Sequence, residues 1–235
     1  MIYIKFFLIA LAAGLVLLFG YYLIRSAFKP FRYVQIVEWI RNPEDHPDWV
    51  VQAQDSCADA PFIFPTTAYI GFIWDDSFRP GHRHSGLDMF GRKEPGVTPV
   101  YAAYDGYLSR KPDWKSSLII RIPDDPLNHG NQIWTYYTHM ADPNGNSFIV
   151  DAFPAGSSEF FVPKGTLLGY QGNYSGKNNN PTGIHLHFSI VKDDGSGTYL
   201  NELEIANTID PSAYFGLPLN AKTNKDIIPI CGQAD

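Results

Sequence analysis

Phe6 to Ile24 (FFLIALAAGLVLLFGYYLI) passes 19 residues without a charge. As a helix at ~1.5 Å per residue it comes close to the ~30 Å hydrocarbon core of a bilayer. A cleaved signal peptide needs small residues at its cleavage site, and Tyr21, Tyr22 and Leu23 stand there instead. This predicts an uncleaved signal anchor. Next, Tyr33, Ile36, Val37 and Ile40 recur at i, i+3, i+4 and i+7, which predicts a short amphipathic helix ending near Arg41. The Pro- and Asp-rich NPEDHPDW breaks it and leaves His46 as a solvated loop residue.

From Pro61 the pattern changes to short β-type runs between turn residues. TPVYAAYDGYLSR reads as a strand, an Asp105-Gly106 turn and a second strand. SLIIRI, NQIWTYYTHM, KGTLLGYQG and IHLHFSIV are further strands. Helical periodicity is scarce beyond residue 60, so an all-β sandwich or barrel is expected. The stretches 123–131 and 141–163 read as surface loops, the second long enough to form a functional rim. The polar end after Leu217 is expected to wrap the domain or fray.

Composition narrows the function classes. Hydrophobic residues make up 45% of the 235, enough for a real core. There are 18 basic against 24 acidic residues, a net charge of −6. An acidic chain is a poor binder of nucleic acid, which needs phosphates neutralised. Four of the basic residues and none of the acidic ones lie in residues 1–32, so the rest of the chain carries −10. Two cysteines are too few for a disulfide scaffold or an all-cysteine zinc site. Cys57 and Cys231 can form one bridge in an oxidising compartment, or remain two thiols. Any metal must be held mainly by His and carboxylates.

Three places supply such groups. In Ile184-His185-Leu186-His187-Phe188, strand alternation puts His185 and His187 on one face, ~7 Å apart. In His84-Ser85-Gly86-Leu87-Asp88, an extended backbone puts His84, Gly86 and Asp88 on one face. His139 ends the run TYYTHM. Each alone fits an ordinary polar surface. Together, His84, Asp88 and one His of the pair make three ligands and leave a fourth position for water, as in catalytic Zn²⁺ sites. The other His of the pair and His139 remain for proton handling or oxyanion stabilisation. No HExxH motif is present. His82 reads as a site-rim or structural residue, and His129 as a turn residue.

GHRHSGLDMFG, TPVYAAYDGYLSR, TYYTHM, VPKGTLLGYQGNYSG and PTGIHLHFSI follow one another in the order of the motifs of lysostaphin-like zinc metallopeptidases. The chain resembles that family of cell-wall endopeptidases over about residues 61–217. The resemblance implies an all-β, duplicated-hybrid-motif domain of barrel or sandwich type, here preceded by one N-terminal transmembrane helix. It implies one Zn²⁺ held by His84, Asp88 and His187, with His139 and His185 as non-ligand catalytic histidines. It implies peptidoglycan stem or cross-bridge peptides as substrate.

The expected organisation is an anchor over 1–27, a juxtamembrane connector over 28–60, the metallopeptidase domain over 61–217 and a tail over 218–235. The expected location is the cell envelope, membrane-anchored through the N-terminal helix with an extracytoplasmic catalytic domain. Arg25, Lys29 and Arg32 oppose that orientation by the charge rule, but long domains translocate largely regardless of it. The oligomeric state is open. Alternatives are a non-enzymatic wall-binding or hydrolase-activating module on the same fold, a metallohydrolase with another protein target, and a β domain with a structural metal.

Overall fold

The computed structural model describes residues 14–16, 20, 31–77, 81–91, 94–224 and 227–232. The expected anchor, Phe6 to Ile24, lies outside the described residues apart from 14–16 and 20. Among the described residues no helix is long and apolar enough to cross a membrane.

Helix α1 (Phe31–Arg41) forms where the periodicity puts it. Its buried face is not the expected one. Arg32, Gln35, Ile36 and Trp39 are buried, while Tyr33 and Ile40 are exposed. The helix is turned by one residue, ~100°, from the apolar stripe. Trp39 has the largest side chain to bury, and its ring lies 5.4 Å from that of Tyr69 in a cluster with Ile36 and Phe90. Arg32 is carried inward with it and meets Asp76 at 3.4 Å and the Asn224 carbonyl at 3.2 Å. Residues 31–60 contain this helix and a short strand at one edge of the sheet. Two 3-10 turns, Pro43–Asp45 and Pro47–Trp49, lead into that strand. His46 is stacked on Trp49 at 3.7 Å rather than free in solvent.

The strands are β1 (Val50–Val51), β2 (Ala68–Ile70), β3 (Leu87–Phe90), β4 (Pro99–Tyr101), β5 (Gly106–Ser109) and β6 (Leu118–Ile122). They continue with β7 (Ile133–Thr138), β8 (Phe160–Val162), β9 (Leu167–Tyr170), β10 (Leu186–Lys192) and β11 (Thr208–Ile209), followed by the short helix α2 (Ser212–Phe215). Nine strands form one antiparallel sheet in the order β1-β2-β3-β10-β7-β6-β5-β8, with β11 pairing the far end of β10. β4 and β9 form a separate two-stranded ribbon. Val100 of the ribbon and Leu168 share one buried cluster with Leu108, Ile120, Tyr137 and Phe188 of the sheet. The all-β expectation holds.

Two local expectations fail. TPVYAAYDGYLSR is not a hairpin, because β4 pairs with β9 while β5 pairs with β6 and β8. Gly106 begins β5 rather than turning the chain. A Cβ there would stand 2.5 Å from the Arg121 carbonyl oxygen, so close backbone approach explains the glycine. The stretch 141–163 is not all surface loop: it contains β8 and buries Ile149, Phe153 and Val162. The C-terminal stretch wraps the domain. Leu219 is buried, Trp74 exchanges backbone hydrogen bonds with Leu219 and Ala221, and Cys231 is disulfide-bonded to Cys57 with Cα atoms 5.3 Å apart.

Candidate metal centre

β10 runs between β3 and β7, and this places the chemistry. Across one side His187 pairs with Asp88, and across the other with Thr138, the residue before His139. His84 arrives from the loop before β3. Its N–H donates to the Asp76 carbonyl, its carbonyl accepts from Asp75, and its Nδ1 donates to the Ile73 carbonyl at 3.0 Å. That last bond fixes the tautomer and leaves the Nε2 lone pair facing inward.

Three donor atoms converge. His84 Nε2 lies 3.1 Å from Asp88 Oδ1 and 3.1 Å from His187 Nδ1, and His187 Nδ1 lies 2.9 Å from Asp88 Oδ1. These three residues are the group among the described residues able to hold a metal ion. Ligands on a tetrahedral Zn²⁺ with ~2.0–2.1 Å bonds stand ~3.3 Å apart, so the triangle needs only slight expansion. Two imidazole nitrogens and a carboxylate oxygen are also the donor types that ion prefers.

Two more histidines complete the cluster. His185 lies just before β10, its N–H bonded to the Gly172 carbonyl at 3.2 Å and its Nδ1 donating to the Gly183 carbonyl at 2.7 Å. Its Nε2 is 3.5 Å from Asp88 Oδ1, outside the triangle. The His185 ring is stacked on Phe90 at 5.1 Å, with the His139 ring 4.5 Å away. His139 has a left-handed backbone, φ 71°, at the end of β7, and its Nδ1 donates to the Tyr174 carbonyl at 2.7 Å. In both rings Nδ1 is engaged by a carbonyl, and Nε2 of His185 faces Asp88 Oδ1. A non-glycine residue in that backbone region is uncommon and is held here by its surroundings.

The charges are mutually adjusted. Burial works against ionisation of Asp88, yet the imidazoles of His84, His185 and His187 hold its carboxyl well below the usual range. Burial also opposes protonation of His84, but the Asp88 carboxylate raises it on balance. Burial lowers His187. Burial, reinforced by His185 and His187, lowers His139 to about 3. A folded value below the unfolded ~6.5 means that the unfolded chain binds more protons between those limits. The His139 contribution is therefore present above pH ~6.5 and is lost as pH falls toward about 3. Urea midpoints of the metal-free protein are expected to decline from pH 7 to pH 5, and less steeply in His139→Gln.

Glycines let these segments approach. A Cβ on Gly86 would fall inside the van der Waals surface of the Phe188 carbonyl oxygen on β10, and one on Gly172 would lie 2.5 Å from the His139 carbonyl oxygen. Neither neighbour is a side chain that can turn away. Gly86→Ala is expected to cost about 1–3 kcal/mol or more by overpacking. It also pushes His84 and Asp88 away from His187, so thermal melts should show lower stability together with weaker metal uptake.

All five predicted residues line one open cleft of about 510 Å³. His82 is on its rim, with its ring 6.5 Å from that of His84. His129 is remote and exposed, bonded to Asp124 in its turn. No residue of the 141–163 stretch lines the cleft, contrary to the rim expectation. The wall is built instead from Ser116, Ser117, Tyr136, Thr138, Tyr174 and Glu202. Tyr136 donates to Ser117 Oγ at 3.0 Å, and Ser117 and Thr138 share a 2.6 Å hydrogen bond. Strand alternation in WTYYTHM puts Tyr136 and Thr138 opposite the core residue Tyr137, and was the available signal for this wall.

No family model matches the chain, and no curated protein does. Among solved structures it is similar to Csd3 of Helicobacter pylori, at 22% identity and TM-score 0.40, over 66% of this chain and 34% of that one. It is similar to the catalytic domain of the antimicrobial peptidase lysostaphin from Staphylococcus simulans, at 17% identity and TM-score 0.39, over 62% and 88%. It is also similar to a point mutant of the catalytic domain of the prophage-encoded M23 protein EnpA from Enterococcus faecalis, at 20% identity and TM-score 0.36, over 63% and 95%. The chain thus spans about a third of the Helicobacter pylori protein.

Proposed function

We propose that this protein is a zinc-dependent endopeptidase that cleaves stem or cross-bridge peptides of peptidoglycan. The observation that carries the proposal is the convergence of His84 Nε2, Asp88 Oδ1 and His187 Nδ1 at 2.9–3.1 Å, beside two further imidazoles, in one open cleft. The substrate class comes from the motif order shared with lysostaphin-like enzymes. A metal held there supplies Lewis acidity, which polarises a peptide carbonyl and makes water acidic enough to be deprotonated near neutrality.

The residues divide the remaining work. His84, Asp88 and His187 would hold the ion, and all three line the cleft. The Gly183 carbonyl holds His185 with its Nε2 toward Asp88, and the Tyr174 carbonyl fixes the His139 ring through Nδ1. A neutral His139 can accept a hydrogen bond from water or, once protonated, give the proton to the departing amine. The two histidines share these transfers and the stabilisation of the developing oxyanion.

The Cys57–Cys231 bridge fits an oxidising, extracytoplasmic setting. The apolar run 6–24 would hold the domain to the membrane, within reach of the nearer part of the wall. The test is release of muropeptides from purified peptidoglycans by the full chain, with and without chelator. Metal-dependent release with new amino termini is expected. Wall binding without release from any wall type would favour the non-enzymatic module.

A further inference from the structure

The cleft wall contains a carboxylate that the proposed chemistry does not use. Of the charged side chains lining the cleft, Asp88 faces the imidazoles and Arg83 is ion-paired with Asp75. The third is Glu202. Among the described residues its carboxylate makes no hydrogen bond and no ion pair. Lys111 and Tyr136 are within its electrostatic reach. The Lys111 ammonium is occupied by two rings, 5.2 Å from the centre of Trp114 and 5.1 Å from that of Tyr199.

The turn that carries Glu202 is pinned. Asn201 Oδ1 accepts from the Leu203 N–H at 3.2 Å, and Asn201 Nδ2 donates to Glu204 Oε1 at 3.1 Å. Asn207 Nδ2 donates to the Asn201 carbonyl at 3.1 Å and reaches Glu204 Oε2 at 3.4 Å. Both oxygens of Glu204 are thus used within the turn, and Glu202 and Leu203 are left to the cleft. Leu203 is 77% exposed there, an apolar surface directly beside an unpaired carboxylate.

We propose that Glu202 and Leu203 form a substrate subsite for a long, unbranched side chain ending in a primary ammonium, in the same cleft as His84, Asp88 and His187. This rests on the hydrolase reading of the same cleft. Methylene stems cover apolar surface while the charged head stays at a polar partner. Leu203 offers the first contact and Glu202 the second. A neutral or acidic side chain of the same length would leave the carboxylate uncompensated or repelled. A partly solvated charged hydrogen bond corresponds to a preference of about tenfold.

The test uses two peptides differing only in a lysine side chain next to the scissile bond, with its amine free in one and acetylated in the other. Affinities are measured by calorimetry on the metal-loaded full-length His185→Ala protein, and kcat/KM on the wild type. The free-amine peptide is expected to bind about tenfold more tightly. Glu202→Gln, made in the same background, should bring that ratio to about 1 by weakening the free-amine peptide alone. Metal content should not change. Equal affinities, no binding of either peptide, or a preference that survives Glu202→Gln would overturn the subsite. A preference in binding with no cleavage by the wild type would sink the hydrolase reading and leave the subsite standing.

Discussion

Replacing His187 with alanine is expected to strip the site of its metal and bring hydrolysis down to the chelated background. His187 Nδ1 is one corner of a triangle whose other corners stand 2.9 and 3.1 Å away, and among the described residues no other group of His and carboxylates could hold a metal ion. His185 is the nearest substitute. Its Nε2 is 3.5 Å from Asp88 Oδ1, and its ring is held by the Gly183 carbonyl on one edge and by Phe90 on one face. Removing His185 should therefore leave metal content intact while kcat falls by about 10²–10⁴, the range for loss of a positioned acid or base. His139→Ala should behave like His185→Ala, because His139 is also outside the triangle. Metal analysis of dialysed protein beside turnover of one peptide separates the two classes. Equal metal loss in His185→Ala and His187→Ala would make His185 a ligand and refute the division of roles.

The shared face of His185 and His187 was legible because it depends on local geometry, whereas the choice of His187 over His185 as ligand came only from the motif resemblance. A period of two fixes which side of β10 carries His187 and which side carries Phe188, whatever the rest of the fold does. Asp88 was legible for the same reason, with Gly86 between it and His84 allowing the strand to lie against β10. The missed features depend on partners far away in sequence. The face that α1 buries was decided by Trp39 finding Tyr69 and by Arg32 finding Asp76 and Asn224. The apolar stripe of α1 could not reveal this, since a tertiary pocket outweighs a weak amphipathic pattern. Likewise, the Asp105-Gly106 pair imitates a hairpin turn, while the real constraint on Gly106 is the Arg121 carbonyl on the neighbouring strand. Glu202 left no sequence signal. Its importance comes from Glu204 being consumed by Asn201 and Asn207, and from the folding of that turn over the cleft.

Removing the Cys57–Cys231 bridge is expected to lower stability by several kcal/mol, with Cys57 itself buried in the core. The two residues are 174 positions apart. Closing a loop of that length in the unfolded chain corresponds to about 5 kcal/mol in the chain-entropy account, and removal of native bridges typically costs about 2–5 kcal/mol. The upper part of that range applies when the whole domain unfolds together. Here the weaker route is release of the C-terminal stretch, held by Leu219, by the exchange with Trp74, and by Asn224 on Arg32. Because Arg32 is on α1, a freed C-terminal stretch also loosens the helix that packs on Tyr69 and Phe90. The triad itself is on β3, β10 and the loop cradled by Ile73–Asp76, so metal binding should persist at low denaturant. Urea unfolding followed by tryptophan fluorescence, with and without reductant and in Cys57→Ser, should show a lower midpoint for each bridge-free form. Trp74 and Trp39 should respond before metal is lost. An unchanged midpoint would mean that the bridge adds nothing to the fold. Simultaneous loss of metal and fluorescence would mean that the C-terminal stretch and the triad unfold as one unit.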